Sequence, residues 1–276
     1  MKICLISNLY EPYNRGGAEQ VAKDTINGLK NKGENVFLIT TKPFKNLSSL
    51  KPEITEENGI KTYRFYPLNI FFYFNINKHG ALSRLIWHIW DMFNTHSYFT
   101  VKKILKTENP DIVHTHNIKG IGYSIPKAIK DLKIKHIHTL HDIQLASPSG
   151  LMFRGKEYSW QQVGFPIKIY SFLCKHLFSS PQIAISPSEW LMNYYDQKGF
   201  FKKSQKAILR NPINTKELVL NDQETNREKI NFLFIGHIEH HKGILFLIDA
   251  FNSLRNSHRV GSAKSPHLPD DQMLLN

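Results

Sequence analysis

Only two cysteines, Cys4 and Cys174, occur in the 276 residues, so a disulfide-built scaffold or a cysteine zinc site is excluded as a source of stability. Long apolar runs are equally scarce, and none approaches the roughly 20 residues that a bilayer-crossing helix needs. The segment from Met1 to Ser7 is a short apolar stretch leading into a polar loop, too brief for a secretory leader. On that reading the chain works in the cytoplasm. Three chemical signatures are also missing. Without a Gly-x-Gly-x-x-Gly run, an NAD enzyme or a nucleotide-linked epimerase is disfavoured. Without a Gly-x-Ser-x-Gly elbow an esterase is disfavoured, and without an Asp-x-Asp motif no metal-held diphosphate is indicated.

What the chain has in excess is positive charge: 36 Lys and Arg against 23 Asp and Glu, a formal net charge of +13. Such a surface favours an anionic partner, either a nucleotide diphosphate, an acidic lipid headgroup or nucleic acid. Nucleic acid is set aside, because the basic residues are dispersed and no helix-turn-helix, RNA-recognition or zinc-finger pattern accompanies them. With 41% hydrophobic and 21% charged residues the composition is that of a globular protein, long enough for one large or two modest domains.

Short apolar runs recur at 2–7, 35–40, 111–116, 135–140, 182–186, 207–210 and 231–235. Most are continuous rather than alternating, which predicts strands covered on both faces, hence a parallel sheet. Between the first two, Val21, Ala22, Ile26 and Leu29 recur at helical spacing over 18–30, and Gly33 supplies a stop. Strand, helix, strand predicts right-handed crossovers and a doubly wound α/β fold. A further helix opens at Pro187-Ser188-Glu189, with Ser186 as N-cap and Trp190, Leu191, Tyr194 and Tyr195 on its apolar side.

Between Tyr63 and Leu105 the rhythm breaks. Leu82, Leu85, Ile86, Ile89 and Phe93 form one helical stripe, with Lys78, His79, Arg84, His88 and His96 between or beside them and Trp87 and Trp90 at its edges. Two readings apply: the stripe packs on the sheet, or this basic, aromatic-edged helix rests on an anionic membrane surface.

Four segments could carry chemistry. The loop 8–17 ends in Gly16 and Gly17 at the start of a helix, where backbone N–H groups and the helix dipole favour an anion. Asp111-Ile-Val-His114-Thr-His116 ends a strand in two histidines on the same face, with His116 nearer the carboxyl edge. Paired histidines could bind a metal, but no third ligand sits at supporting spacing. A third strand ends in Thr139-Leu-His141-Asp142 and continues to Pro148-Ser-Gly150. Finally, residues 234–251 read as strand, Gly236 turn, basic loop with Lys242, Gly243 and apolar helix. This puts a glycine, a lysine and a helix N-terminus around one point, as a diphosphate needs when no metal neutralises it. Turn glycines and a solvated lysine are the alternative reading of that segment.

These motifs, in this order, resemble the GT-B glycosyltransferases of family 4 over roughly residues 1 to 255. The family's second domain opens with a strand, Gly-Arg, a short loop, Lys-Gly and a helix; here His237 stands where arginine is expected, while Lys242 keeps the lysine. The resemblance implies an α/β fold of GT-B type, with a doubly wound parallel-sheet N-terminal domain and an incomplete second Rossmann-like domain. The expected division is an acceptor-side domain over 1–211, a linker over 212–229, the start of a donor-binding domain over 230–256 and an irregular tail over 257–276, that is, a C-terminally truncated enzyme whose activity the truncation is expected to impair.

The resemblance further implies a retaining hexosyltransferase of cell-surface polysaccharide synthesis. It would take a nucleotide-sugar donor and a glycan or lipid-linked acceptor, with no cofactor and no metal, in the cytoplasm or at the inner face of the membrane. His116, His141 and Asp142 would line the reacting centre, and Gly16, Gly17, Gly236 and Lys242 would bind donor or acceptor. A non-catalytic acceptor-binding module, or half of a split transferase, is the competing reading.

Overall fold

The computed structural model describes residues 1–152, 155, 158–212, 232–236, 238 and 242–259, and the chain divides into two compact units, Met1–Leu218 and Val219–Asn276. In the first unit the order is β1 (Lys2–Ile6), α1 (Gly17–Asn31), β2 (Asn35–Thr41), β3 (Glu53–Glu57), β4 (Ile60–Phe65), α2 (Ala81–Met92), α3 (Thr95–Glu108), β5 (Ile112–Thr115), α4 (Ile125–Asp131) and β6 (Lys135–Thr139). Then follow α5 (Trp160–Val163), α6 (Phe165–Phe178), β7 (Ile183–Ser186), α7 (Glu189–Gln197) and β8 (Gln205–Ile208).

The strands form one sheet in the order β3-β4-β2-β1-β5-β6-β7-β8, parallel throughout except for β3 against β4. The continuous apolar runs explain the parallel pairing, because both faces of the central strands are covered. Ile3 and Leu5 of β1 pack with Ala22 and Ile26 of α1, while Cys4 and Ile6 face the layer that contains α3, α4, α6 and α7. Each of these isoleucine and leucine side chains, once buried, contributes about 1.5–3 kcal/mol. After β1 the chain winds outward through β2 and β4, then returns to the other side of β1 as β5. That reversal between β1 and β5 is the topological switch point, where the carboxyl ends of strands open a crevice for a ligand.

Glu108, at the end of α3, pins the helix layer to the sheet. Its carboxylate accepts from Lys2 (2.7 Å), Lys61 (2.6 Å) and the Tyr63 hydroxyl. Burial alone would raise its pKa, but these three donors hold it down to about 2.

Several sequence expectations need correcting. The run placed at 207–210 is β8 at Gln205–Ile208. The N-cap of α7 is Ser188, whose Oγ accepts from Leu191 N (3.3 Å), and not Ser186; the helix buries Leu191, Met192 and Tyr195 while Trp190 is exposed. The largest correction concerns α2. Its buried residues are Trp87, Asp91 and Met92, and the Leu82, Leu85, Ile86, Ile89 and Phe93 stripe is exposed, so the stripe does not pack on the sheet. The sequence misleads because Asp91 marks the inner face as polar, whereas its carboxylate is buried and accepts the Gly120 N–H (2.8 Å).

The hairpin β3–β4 was not expected from the apolar runs, yet Asn58-Gly59 joins its strands. Both residues have positive φ, 53° and 66°, as a two-residue type I′ turn requires. β3 is the outer edge of the sheet and carries Glu53, paired with Lys42 at 2.6 Å, and Glu57, paired with Arg64 at 3.0 Å.

In the second unit, the expected strand at 231–235 is not formed among the described residues, 232–235, which are without regular structure. A lone strand has no neighbour to satisfy its ladder, and no other strand is present among the described residues of this unit. Gly243 takes a φ of 75° and leads into α8 (Ile244–Arg259), and Phe232 meets Phe251 edge-on with ring centroids 5.8 Å apart. His237, most of the expected linker and positions 260–276 of the expected tail lie outside the described residues.

The turn gives a direct test. Gly59→Val places a β-branched side chain at positive φ, with its Cβ 3.2 Å from Lys30 Nζ, and is expected to lower stability by about 1–2 kcal/mol, read from the urea midpoint.

Candidate functional site

At the switch point the loops after β1 and β5 are tied to each other. Asn8 N donates to Asn117 O (2.7 Å) and Asn8 Nδ2 to Lys119 O (2.6 Å), while His116 N donates to Ile6 O (2.9 Å). Parallel register then brings the end of β5 against the end of β6. There His116 Nδ1 and His141 Nε2 lie 2.9 Å apart, one ring donating and the other accepting, with ring centroids at 5.1 Å. Two of the three residues expected at the reacting centre are thus in direct contact. The third, Asp142, follows immediately and accepts from Gln144 N (2.8 Å) and from the Gln144 side-chain amide. Tyr195 Oη donates to the Asp142 carbonyl (2.9 Å), fixing the loop from beneath.

His116 is fully buried, its Nε2 has no hydrogen-bond partner among the described residues, and its ring lines a cavity of about 10 Å³, room for about one water. Burial, reinforced by the neighbouring histidines, holds its pKa well below the ordinary range, and burial takes His141 down to about 4. Both imidazoles are therefore neutral near pH 7. A neutral pair can accept or donate hydrogen bonds to hydroxyls without presenting charge. Burial also raises Asp142, against the hydrogen bonds from Gln144.

Charge at this edge comes from residues that sequence reasoning did not single out. Lys119 is buried, donates to Pro148 O (2.6 Å), and has its pKa lowered by burial to about 8 despite the pull of Asp142 and Asp91. Arg15 and Lys119 both stand over the Tyr73 ring, at 5.8 and 5.7 Å from its centroid. A lysine three residues past the strand-end His116 is visible in the sequence, but nothing there marks it as buried. Gly120 has a φ of 93°, and a Cβ there would lie 2.6 Å from Tyr73 Cβ, so the ring and loop are held closer than any other residue permits.

Gly16 is the N-cap of α1 and Gly17 its first residue, at the same edge. Gly16 N already donates to Glu19 Oε2 (2.8 Å), so an anion arriving there competes with the chain's own carboxylate. Gly236 and Lys242 belong to the second unit, where Lys242 stands two residues ahead of α8. Among the described residues no three His, Cys, Asp or Glu side chains are grouped to hold a metal ion, and no helix is long and apolar enough to cross a membrane.

Burial of neutral histidines makes the fold acid-sensitive. Burial lowers His88 and His136 to about 3 and His114 and His141 to about 4, whereas an unfolded histidine titrates near 6.5. Stability is therefore complete above about 6.5 and is lost as pH falls toward the folded values, by on the order of 1–2 kcal/mol per histidine between pH 7 and 5. Urea unfolding at pH 7, 6 and 5 is expected to show a steadily falling midpoint.

Three comparisons place the chain among known proteins. An uncharacterized 42.6 kDa protein in the cps region of Klebsiella pneumoniae is 28% identical over 244 residues, 88% of this chain and 63% of the relative, so the chain spans under two thirds of that protein's length. Among solved structures, a sucrose-phosphate synthase from Thermosynechococcus elongatus aligns over 76% of this chain and 47% of its own, with 15% identity and a TM-score of 0.48. An E. coli trehalose-6-phosphate protein bound with UDP-2-fluoro glucose aligns over 79% of this chain and 50% of its own, with 11% identity and a TM-score of 0.46. The model of Glycosyltransferase Family 4 matches residues 15–217, which hold Gly16 and Gly17, the His116–His141 pair and Asp142, and the chain belongs to that family.

Proposed function

We propose that this chain serves a retaining glycosyltransferase of hexosyltransferase type and GT-B arrangement, moving a sugar from a nucleotide-sugar donor to a glycan or lipid-linked acceptor at the inner face of a membrane. Residues 1–211 form its acceptor side and 230–256 begin its donor side. The observation that carries the reading is the neutral His116–His141 contact beside Asp142 at the switch-point edge, inside the family-matched segment. The relative from a cps region supports a role in cell-surface polysaccharide synthesis.

In this reaction the bond from the sugar's anomeric carbon to the diphosphate oxygen breaks, and the acceptor oxygen bonds to that carbon on the same face. The acceptor proton passes to an oxygen of the departing phosphate. Positive charge grows on the sugar ring and negative charge on the leaving group, so catalysis rests on stabilising the diphosphate and holding the acceptor in place. Lys242, Gly236 and the N-terminus of α8 supply the first without a metal or cofactor; in the first unit, the start of α1 at Gly16 and Gly17 binds donor or acceptor, an anion there displacing the Glu19 carboxylate from Gly16 N. His116 and His141 bind sugar hydroxyls while remaining uncharged, which avoids repulsion with the developing cation, and Asp142 orients the acceptor.

Calorimetric titration of the 276-residue chain with UDP-, GDP- and ADP-glucose tests the reading. One of the three is expected to bind, Lys242→Ala to weaken it about tenfold or more, and His116→Ala to leave binding nearly unchanged while cutting transfer about 100-fold. A folded chain that binds a glycan but no nucleotide sugar would instead identify an acceptor-binding module.

A further inference from the structure

The apolar stripe of α2, for which the sequence left both packing on the sheet and resting on a membrane open, is turned outward. Leu82, Leu85, Ile86 and Ile89 are 72, 56, 48 and 55% exposed, and no described residue covers them. The neighbouring α6 repeats the pattern, with Phe165, Ile169 and Phe172 exposed at helical spacing while Tyr170, Cys174 and Phe178 face the core. The two helices meet where His88 abuts Tyr170, ring centroids 6.2 Å apart. Two adjacent helices thus each present large apolar side chains outward, an arrangement that marks an interaction surface.

The charge around these faces selects the partner. The only carboxylate within α2 is Asp91, which is fully buried, and α6 contains none. Lys78, Arg84 and Lys168 are exposed and make no ion pair among the described residues. An apolar strip fringed by Lys78, Arg84 and Lys168, with no exposed carboxylate within either helix, fits the boundary of an anionic bilayer, where the aliphatic side chains enter the acyl region and the cations meet headgroup phosphates. Trp90 is exposed on the same helix, with its indole N–H donating to Leu68 O at 2.7 Å, which suits an aromatic ring at headgroup depth. A second copy of the chain fits less well, since a two-fold interface would set Arg84 and Lys168 of both protomers against one another.

We propose that the outward faces of α2 and α6 together form a docking surface for an anionic lipid bilayer. The inner sides of the same helices hold the site loops: Asp91 accepts from Gly120 N, next to Lys119, and Tyr170 donates to Gln144 O (2.8 Å), two residues past Asp142. Docking would set the carboxyl edge at a fixed height above the membrane, within reach of a lipid-linked acceptor. That consequence rests on the transferase reading of the site, whereas binding to lipid does not.

Sedimentation of the full chain with phosphatidylcholine vesicles, with and without phosphatidylglycerol at about a third of the lipid, tests the surface. Binding is expected only with phosphatidylglycerol and is expected to fall with added salt. Ile86→Glu combined with Ile89→Glu should cut the bound fraction tenfold or more, and Arg84→Glu about fivefold. Both changes lie at exposed positions, and circular dichroism checks the fold. As a measurement on the unaltered helix, brominated lipid should quench a fluorescence component that Trp90→Phe removes. Equal sedimentation with and without phosphatidylglycerol, or unchanged binding of the double glutamate variant, would overturn the proposal. So would a wild-type dimer in sedimentation velocity that the glutamate variant dissociates. Nucleotide is absent from these assays, so their failure leaves donor binding as a separate question.

Discussion

The pairing of β5 with β6 is the constraint on which the candidate site depends. Parallel register sets Val113 beside His136 and Thr115 beside His138, and Thr115 Oγ1 then reaches His136 Nε2 (2.8 Å) and His138 Nδ1 (2.9 Å) on one face. On the other, His114 Nε2 meets Thr139 Oγ1 (2.8 Å) and His116 meets His141. A shift of one residue would exchange these faces, putting His116 among the side chains that pack on Phe178 and Phe201. The imidazole contacts are therefore a property of strand register first and of loop conformation second.

The same packing separates polarity from charge. Histidines buried in and beside the sheet are neutral near pH 7, so the carboxyl edge derives its positive field from Lys119, Arg15 and the N-terminus of α1. Lys119 and Asp91 illustrate how such groups are kept inside: each makes a specific hydrogen bond, and burial moves each toward neutrality, Lys119 down to about 8 and Asp91 up to about 7. Orientation is built by uncharged rings, while charge is held a few residues away.

Much of the first unit was legible in the amino-acid sequence, because continuous apolar runs bounded by turns have few other solutions. The ends of β1, β5 and β6, and with them the positions of His116, His141 and Asp142, follow from that pattern, whereas the roles expected of the three came from the family resemblance. The hairpin β3–β4 was harder, since Glu53, Glu56 and Glu57 disguise an edge strand, although Asn58-Gly59 announces the turn. The face of α2 was not legible. With apolar residues around most of its circumference, the stripe that periodicity picks out need not be the inner face, and the choice falls to the tertiary partners of Trp87 and Asp91, which lie at Phe71 O and Gly120 N. Lys119 escaped for a related reason: a lone lysine in a loop carries no sign of burial, which is decided by the Pro148 carbonyl from a distant segment.

The acidic edge strand has a bearing on solution behaviour. A sheet's last strand leaves N–H and C=O groups unpaired, a template on which another chain can grow. Here that template carries three carboxylates in the five residues of β3, and only its central residues, Ile54 and Thr55, interrupt them. A second β3 laid alongside would bring glutamate against glutamate, so the sheet resists lengthening from this side even at the concentrations a bilayer surface would impose.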